Sequence, residues 1–462
     1  MNVIEPSRVI RVLDEYEVVI LGGGPTGIAA AISLGRSGRK TLLVEKGGFL
    51  GGAGTAGGLS TFCGLYSNVH GNHLLTAGGV VPEILDRIES LGGLREPHLS
   101  FGERIMAQAY DIPAYRLAAD QLVLESGTEL LFHAFGVSAV MKGVGEIDAV
   151  IIETKEGRLA LQAKFFIDAS GDADLAYWSG ADFEKSPPNE MIYPSTMFRI
   201  NNVDAEHAGP AWRTLPDLMD AAVKAGRKPF PRRGAIVRPQ RDGIEWRVNA
   251  TQLRAPDGMA LDGTKVKDLT DGEIQGRAQA QEVFEFIRDN HPGFSDCYIV
   301  DIGPEIGIRE TRRIIGPYQL SEHDVRSCAD FDDSIGLNGW PVEAHIAGDV
   351  EIRWPFDENS RGYNQLPYRM LVAPKVRNLL VGGRCASMTH GGQSAARVSG
   401  PCFVMGHAAA LAADIALKLN CAAIDVPIGK LQARLLATGA ILTLDETAME
   451  TRKGDRRERS AD

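Results

Sequence analysis

The stretch from Tyr16 to Glu45 restricts the fold of this chain more than any other. Tyr16–Leu21 (YEVVIL) is a β-branched apolar run that stops at three consecutive glycines, the pattern of a buried parallel strand meeting a tight turn. A helix follows, entered at Pro25 and left at Gly38, and Thr41–Glu45 (TLLVE) reads as a second buried strand. The unit is therefore βαβ, with a right-handed crossover. Gly22, Gly24 and Gly27 carry the G-x-G-x-x-G spacing at the strand-to-helix turn. The first permits the turn, the second lets a pyrophosphate reach the backbone, and the third lets helix and strand pack closely. The helix amino terminus supplies N–H donors and partial positive charge. Glu45, eighteen residues beyond Gly27, is placed to accept hydrogen bonds from an adenosine ribose, and an acid there disfavours a 2′-phosphate. The expectation is a dinucleotide-binding fold.

Bulk properties narrow the partners. At 462 residues, 44 % hydrophobic and 24 % charged, the chain is long enough for two or more domains. A formal charge of −11 works against nucleic acid or anionic membrane as a partner. Six scattered cysteines without a C-x-x-C pair give no zinc, iron–sulfur or dithiol pattern, and no metal is expected. The first fifteen residues lack an apolar secretory core, and the apolar stretches read as shorter than the roughly 20 residues of a membrane span. A cytoplasmic protein is expected, with assembly into a homo-oligomer left open.

Further along, residues 47–79 are crowded with glycine and read as irregular loop suited to close ligand approach. A helix is expected over 114–126. Short strands are expected at 129–132, 137–141, 149–153 and 159–167, leading into DASGDADLA at 168–176. Strands are also expected at 196–200 and 245–251, with a helix over 272–290. Buried-strand patterning is expected to return only at 378–381 (NLLV), followed by a long helix from Pro401 and a charged, disordered tail from Arg452. The recurrence of cofactor-like glycine segments at 47–58, 168–172 and 382–400 suits a long dinucleotide, FAD, better than NAD. No second glycine fingerprint marks a dedicated NAD(P)H domain.

Four motifs carry a resemblance: GGGPTG at 22–27, DASGDADLA at 168–176, GIRETRRIIG at 307–316, and NLLVGGRCAS at 378–387 with Arg397, Val398 and Cys402–Ala409 after it. Together they resemble the FAD-dependent oxidoreductase family over about residues 16–440. The resemblance implies an α/β, Rossmann-like FAD-binding domain of the glutathione reductase type, built from 15–184 and 371–425, with part of 60–113 lent to the substrate side. An inserted α+β substrate domain would occupy 185–370, and 426–462 would form a C-terminal helix and charged tail. Expected FAD contacts in the first unit are Gly22, Gly24, Pro25, Thr26, Gly27, Glu45 and Lys46. Gly51, Gly52 and Thr55 are expected from the loop after it, Val137, Ala169 and Gly171 from the middle, and Gly383, Arg384 and Ser394 from the C-terminal part. Iron–sulfur members are poor models, because the chain has no C-x-x-C.

For catalysis, His390 is the first choice for proton transfer and Arg397 for stabilising reduced flavin or binding a substrate carboxylate. A backbone-bonded His390 and a structural Arg397 are the alternatives. One arginine of Arg309, Arg312 and Arg313 is expected, on a strand, to face cofactor or substrate, with an ion-pair network favoured for Arg312. Tyr363, Tyr368 and Arg369 are either part of a substrate pocket or a packed corner. Cys402 is read as a packed thiol rather than a nucleophile. Asp168, Asp172 and Asp174 are read as turn carboxylates rather than metal ligands. The expected activity is transfer of a hydride from a small organic substrate to flavin N5, with electrons leaving to oxygen or an external acceptor. The alternatives are a monooxygenase reduced by NAD(P)H and a non-catalytic flavin-binding protein.

Overall fold

A computed structural model describes Val3, residues 5–240 and residues 242–444; the charged tail from Arg452 lies outside the described residues. The first unit forms as its sequence dictates. Strand β1 (Arg11–Leu21) runs into helix α1 (Pro25–Arg36) and strand β2 (Thr41–Val44). β1 starts five residues before Tyr16. Its first half is exposed, because it pairs at the sheet edge instead of crossing the core.

Strands β3 (Glu129–Leu131), β4 (Phe135–Met141), β5 (Ile147–Thr154), β6 (Gly157–Asp168) and β7 (Leu379–Val381) complete a seven-stranded sheet. β3, β2, β1, β6 and β7 pair in parallel in that order, and the amino-terminal half of β6 turns antiparallel to β5, which pairs with β4. In register, Leu21 lies beside both Val44 and Asp168, and Asp168 beside Val381. The carboxyl ends of four strands therefore converge on the glycine turn, where ligands of open α/β sheets bind. Period-two alternation divides the core between the two faces. Val18, Ile20, Leu43, Phe165, Ile167 and Leu380 face one side, and Val19, Leu21, Leu42, Val44, Phe166 and Leu379 the other.

Helix α2 (Ser399–Leu419) packs with α1 in the first of these cores. Its 21 residues are long and apolar enough to cross a membrane, longer than the sequence reading allowed, and 83 % of its most apolar window is buried inside the protein. Close approach is built in: a Cβ on Gly406 would fall 2.1 Å from the Thr26 carbonyl oxygen of α1.

Other expectations need correction. Residues 47–79 contain a 3-10 turn (Gly52–Gly54), a short strand (Thr61–Phe62) and a hairpin of Tyr66–Val69 with Asn72–Leu75. His70 and Gly71, both at positive φ, make its two-residue turn. Buried strands return before 378: Ser334–Asn338 and Asn364–Pro367 pair antiparallel and are wholly buried, with Ile335 and Leu366 in the same core as α1 and α2. Polar side chains in both strands hid them from a hydrophobicity reading.

Earlier in sequence, between β6 and these two strands, Ile236–Pro239, Trp246–Asn249, Phe198–Asn201 and Tyr298–Ile302 form an antiparallel sheet in that order, covered by the helix Val266–Asn290. It has its own core of Phe198, Ile200, Trp246, Val248, Val283 and Phe294.

Candidate active site and cofactor cleft

One cavity of about 470 Å³ begins at the glycine turn and ends against the antiparallel sheet. At the turn, Gly22 has φ +106°, and a Cβ there would fall 2.4 Å from the Ala169 carbonyl oxygen. A Cβ on Gly27 would fall 1.9 Å from the Gly22 oxygen, which is the tight helix–strand contact expected of the third glycine. Gly24 is different: a Cβ would meet only the Gly52 Cα, at 3.9 Å, so this position opens into the cavity. Gly52 lies beside it at φ +53°. The turn is thus closed on its protein side and open where a pyrophosphate has to approach. Glu45 accepts hydrogen bonds from the Gly23 N–H and the Gly47 N–H, each 2.7 Å. Each carboxylate oxygen keeps a second lone pair for a ribose hydroxyl.

Arg384 ties three remote segments around the cavity. It donates to the carbonyls of Gly171 (2.8 Å) and Ile308 (2.6 Å) and to Asp172 (2.6 Å). The neighbouring carboxylates are committed to the protein. Asp168 accepts from Ser170 and from the Ala176 N–H, Asp172 also accepts from Thr311, and Asp174 pairs with Arg312. Pro25, Thr26, Lys46, Ala169, Gly171 and Gly383 line the cavity as expected from sequence.

The far end is built from residues that sequence reasoning mostly missed. Arg247, Asn249, Arg309, Trp340, Glu343, His345 and Arg397 line it, together with His98 and Cys63. Arg247 and Asn249 share one face of the strand Trp246–Asn249, which is buried along its whole length. Arg309 donates to the Tyr193 carbonyl (2.8 Å) and the Ser195 hydroxyl (2.7 Å), and the Nε and Nη2 of Arg397 are buried without a partner. Glu343 accepts from the Trp340 indole (3.0 Å) and faces His345 Nε2 at 3.3 Å. Burial opposes its charge, but His345, Arg397 and Arg309 together hold Glu343 well below the usual carboxylate range. Burial, with Arg309 second, lowers the His345 pKa to about 3. Burial, then Arg247 and Arg238, does the same for His98. A charged strand interior and a Glu-x-His pair at positions 343 and 345 were the available signals; neither reveals burial from sequence alone.

Several expected site residues lie elsewhere. His390 opens a short helix, His390–Ala396, rather than sitting in a loop, and its Nδ1 faces Glu310 at 3.1 Å; it does not line the cavity. Ser394 is fully buried in that helix and donates to the His390 carbonyl. Thr55 donates back to Leu50, and Gly51 turns the same loop at φ +112°, so both shape it from behind. Val137 packs with Ile10, Ala149, Ile151 and Ala160 on the far strands of the sheet. Tyr368 donates to the Ala423 carbonyl, Arg369 pairs with Asp333, and Tyr363 packs against Val69 and Leu337. None of the three lines the main cavity, and Tyr363 lines a separate one beside Asn338 and Trp340. Arg313 pairs with the buried Glu310 and with Glu184. Of the 307–316 arginines, Arg309 is the one that lines the cavity, on an extended segment that becomes a paired strand only at Arg313–Ile314. Cys402 donates to the Arg397 carbonyl, and burial pushes its thiol up to about 12.

The chain is 29 % identical over 167 residues to a thiamine thiazole synthase of Methanococcus vannielii, covering 34 % of the chain and 57 % of that protein. It is 30 % identical over 164 residues to a mitochondrial dihydrolipoyl dehydrogenase of Arabidopsis thaliana, covering 34 % of the chain and 28 % of that protein. The matched stretch thus spans less than two thirds of either relative. Among solved structures it is similar to a geranylgeranyl bacteriochlorophyll reductase-like protein of Thermoplasma acidophilum, at 14 % identity and a TM-score of 0.46, over 91 % of this chain and 82 % of that one. The model of the FAD-dependent oxidoreductases matches residues 17–435, where the open glycine turn and Glu45 fit FAD, and the chain belongs to that family.

Proposed function

We propose that the enzyme oxidises a small organic substrate bound at the charged end of the cavity, with electrons passing on to oxygen or an external acceptor. The observation that carries this reading is the continuity of a single cavity, from the open face of Gly24 to Arg247, Arg309 and Arg397. FAD, when bound, supplies the two-electron acceptor. Residues 15–184 and 371–425 act as the cofactor half, in the arrangement of glutathione reductase, and residues 185–370 act as the substrate half. A cytoplasmic location belongs to the same proposal, supported by six free cysteines.

The side chains divide the remaining work. Glu343 holds His345 through Nε2, so the neutral ring offers its Nδ1 lone pair as a hydrogen-bond acceptor that orients the substrate. Arg397 positions the substrate with its planar fork. His390, tied to Glu310, acts as a positioning residue for the segment 309–313 rather than on substrate. The test is an anaerobic screen of metabolites for bleaching of the flavin band. Reduction by a metabolite without added nicotinamide supports the reading. Reduction only by NADPH, accelerated by a second compound, replaces it with a monooxygenase, and no reduction by any compound replaces it with a flavin-binding protein.

A further inference from the structure

Three strands of the antiparallel sheet place arginines in a row. In register, Arg247 stands directly between Arg238 on one side and Arg199 on the other. Like charges directly opposite one another destabilise a sheet. Arg199 is answered by Glu245 (3.0 Å) and Asp301 (3.1 Å). Arg238 and Arg247 are not: Arg238 donates to the Val237 carbonyl and the Ser100 hydroxyl, and Arg247 to the Leu59 carbonyl, its Nε having no partner. Arg247 is only 4 % exposed.

Arg309 and Arg397 approach the same cavity end, and neither makes an ion pair among the described residues. Against these three lining guanidiniums stands the Glu343 carboxylate. The imidazoles of His98 and His345 are held neutral by burial and by the arginines themselves, so they add no charge. Counted over the lining side chains, the cavity end carries an excess of two positive charges, and the Nε of Arg247 and the Nε and Nη2 of Arg397 are buried without an acceptor. Such an arrangement is costly unless a ligand completes it. Guanidinium forks match the paired oxygens of carboxylates and phosphates.

We propose that this end binds a substrate dianion, a dicarboxylate or a phosphomonoester, held by Arg247, Arg309 and Arg397 with Asn249 beside them. The assignment rests on the oxidoreductase reading in that the anion is the substrate's own group. Glu343 limits the excess to a dianion and keeps His345 oriented beneath it. Arg238, opposite Arg247 but outside the lining, strengthens the field without contacting the ligand.

The test is equilibrium binding to the FAD-loaded enzyme, followed by perturbation of the flavin absorbance. The probes are succinate, glutarate and glycerol 3-phosphate, set against succinamide, glutaramide and glycerol as neutral counterparts. At least one dianion should bind ten-fold or more tightly than its neutral counterpart. Succinate or glutarate binding marks a dicarboxylate site, and glycerol 3-phosphate binding a phosphate site. Arg247→Met and Arg397→Met should each weaken that binding at least ten-fold while retaining FAD, and Glu343→Gln should tighten it. The proposal is overturned if every dianion binds no better than its neutral counterpart, or if the arginine variants lose FAD instead of the probe, which would assign the charge to the cofactor. Because no turnover is involved, the binding result stands apart from the metabolite screen, whose failure would sink only the oxidoreductase reading.

Discussion

Lys46 and Glu305 meet at 3.1 Å between Nζ and Oε2, 259 residues apart in sequence, and both line the cavity. Each side chain is about half exposed, so their attraction is screened by solvent and salt. The pair clasps the glycine-rich cofactor side to the segment that follows the antiparallel sheet. Glu305→Gln should therefore leave the melting temperature nearly unchanged and speed the exchange of bound FAD at low salt about two- to five-fold, a difference that fades at high salt. Stopped-flow displacement of the flavin at two ionic strengths measures it.

Gly24 and Gly27 separate cofactor binding from folding. A side chain at Gly24 enters the cavity and meets only the Gly52 Cα, whereas one at Gly27 collides with the Gly22 carbonyl. Gly24→Val should give a folded, colourless protein that takes up no FAD. Gly27→Val should lose stability by several kcal/mol, on the order of other core overpacking effects. Circular dichroism melts and flavin absorbance, taken together, distinguish the two outcomes.

Besides His98, two buried histidines make the fold acid-sensitive. His345 is held down to about 3, by burial and then Arg309. His407, between the Ser33 and Thr438 hydroxyls, is held down to about 4, by burial and then Arg36. Unfolded, each takes a proton near 6.5, so the stability they contribute is complete above that pH and falls as the pH drops towards 4. The loss is about 1.4 kcal/mol per pH unit for each group. Denaturant melts at pH 7.5 and 5.0 should show the loss, and His407→Gln, which keeps polar contacts to both hydroxyls, should lessen it by about 2 kcal/mol.

Removing an unpartnered buried cation should relieve the apoprotein. Arg397→Met is expected to raise the stability of the FAD-free enzyme by about 1–3 kcal/mol, because a desolvated charge that makes no ion pair and leaves Nε and Nη2 unpartnered is replaced by an apolar side chain of similar length. Differential scanning calorimetry gives the sign; a fall in melting temperature would mean that Arg397 is structurally required.

Cys402 sits at the start of α2, where a helix dipole acts on a thiol, yet burial dominates and pushes it up to about 12. Iodoacetamide at pH 8 should leave Cys402 unmodified in the folded protein and label it only in denaturant, as mass spectrometry of the peptides would record.

The parallel half of the fold was legible because strand, glycine turn and helix follow one another within thirty residues. Tyr16–Leu21, Pro25–Arg36 and Thr41–Val44 all formed where their patterns placed them, as did the strand at Leu379. Ser334–Asn338 and Asn364–Pro367 were not legible, since asparagine, glutamine and glycine interrupt their apolar pattern while tertiary packing buries them. The cofactor end of the site could be read because backbone geometry demands glycine there. The charged end could not: Arg247 lies almost a hundred residues before the Glu343–His345 pair, and nothing local in either segment reveals that tertiary packing buries it. The glycines beside His390 suggested a loop, whereas Thr389 caps a helix there by accepting from the Gly392 N–H.

The pairing of β6 with β7 has a consequence for synthesis. Val381 lies beside Asp168, and α2 packs on α1, so the cleft is closed by residues made more than two hundred positions after the chain that first needs them. An emerging polypeptide therefore exposes one apolar face of its first βαβ unit until nearly the whole length has left the ribosome. Until then that face is apolar surface open to aggregation.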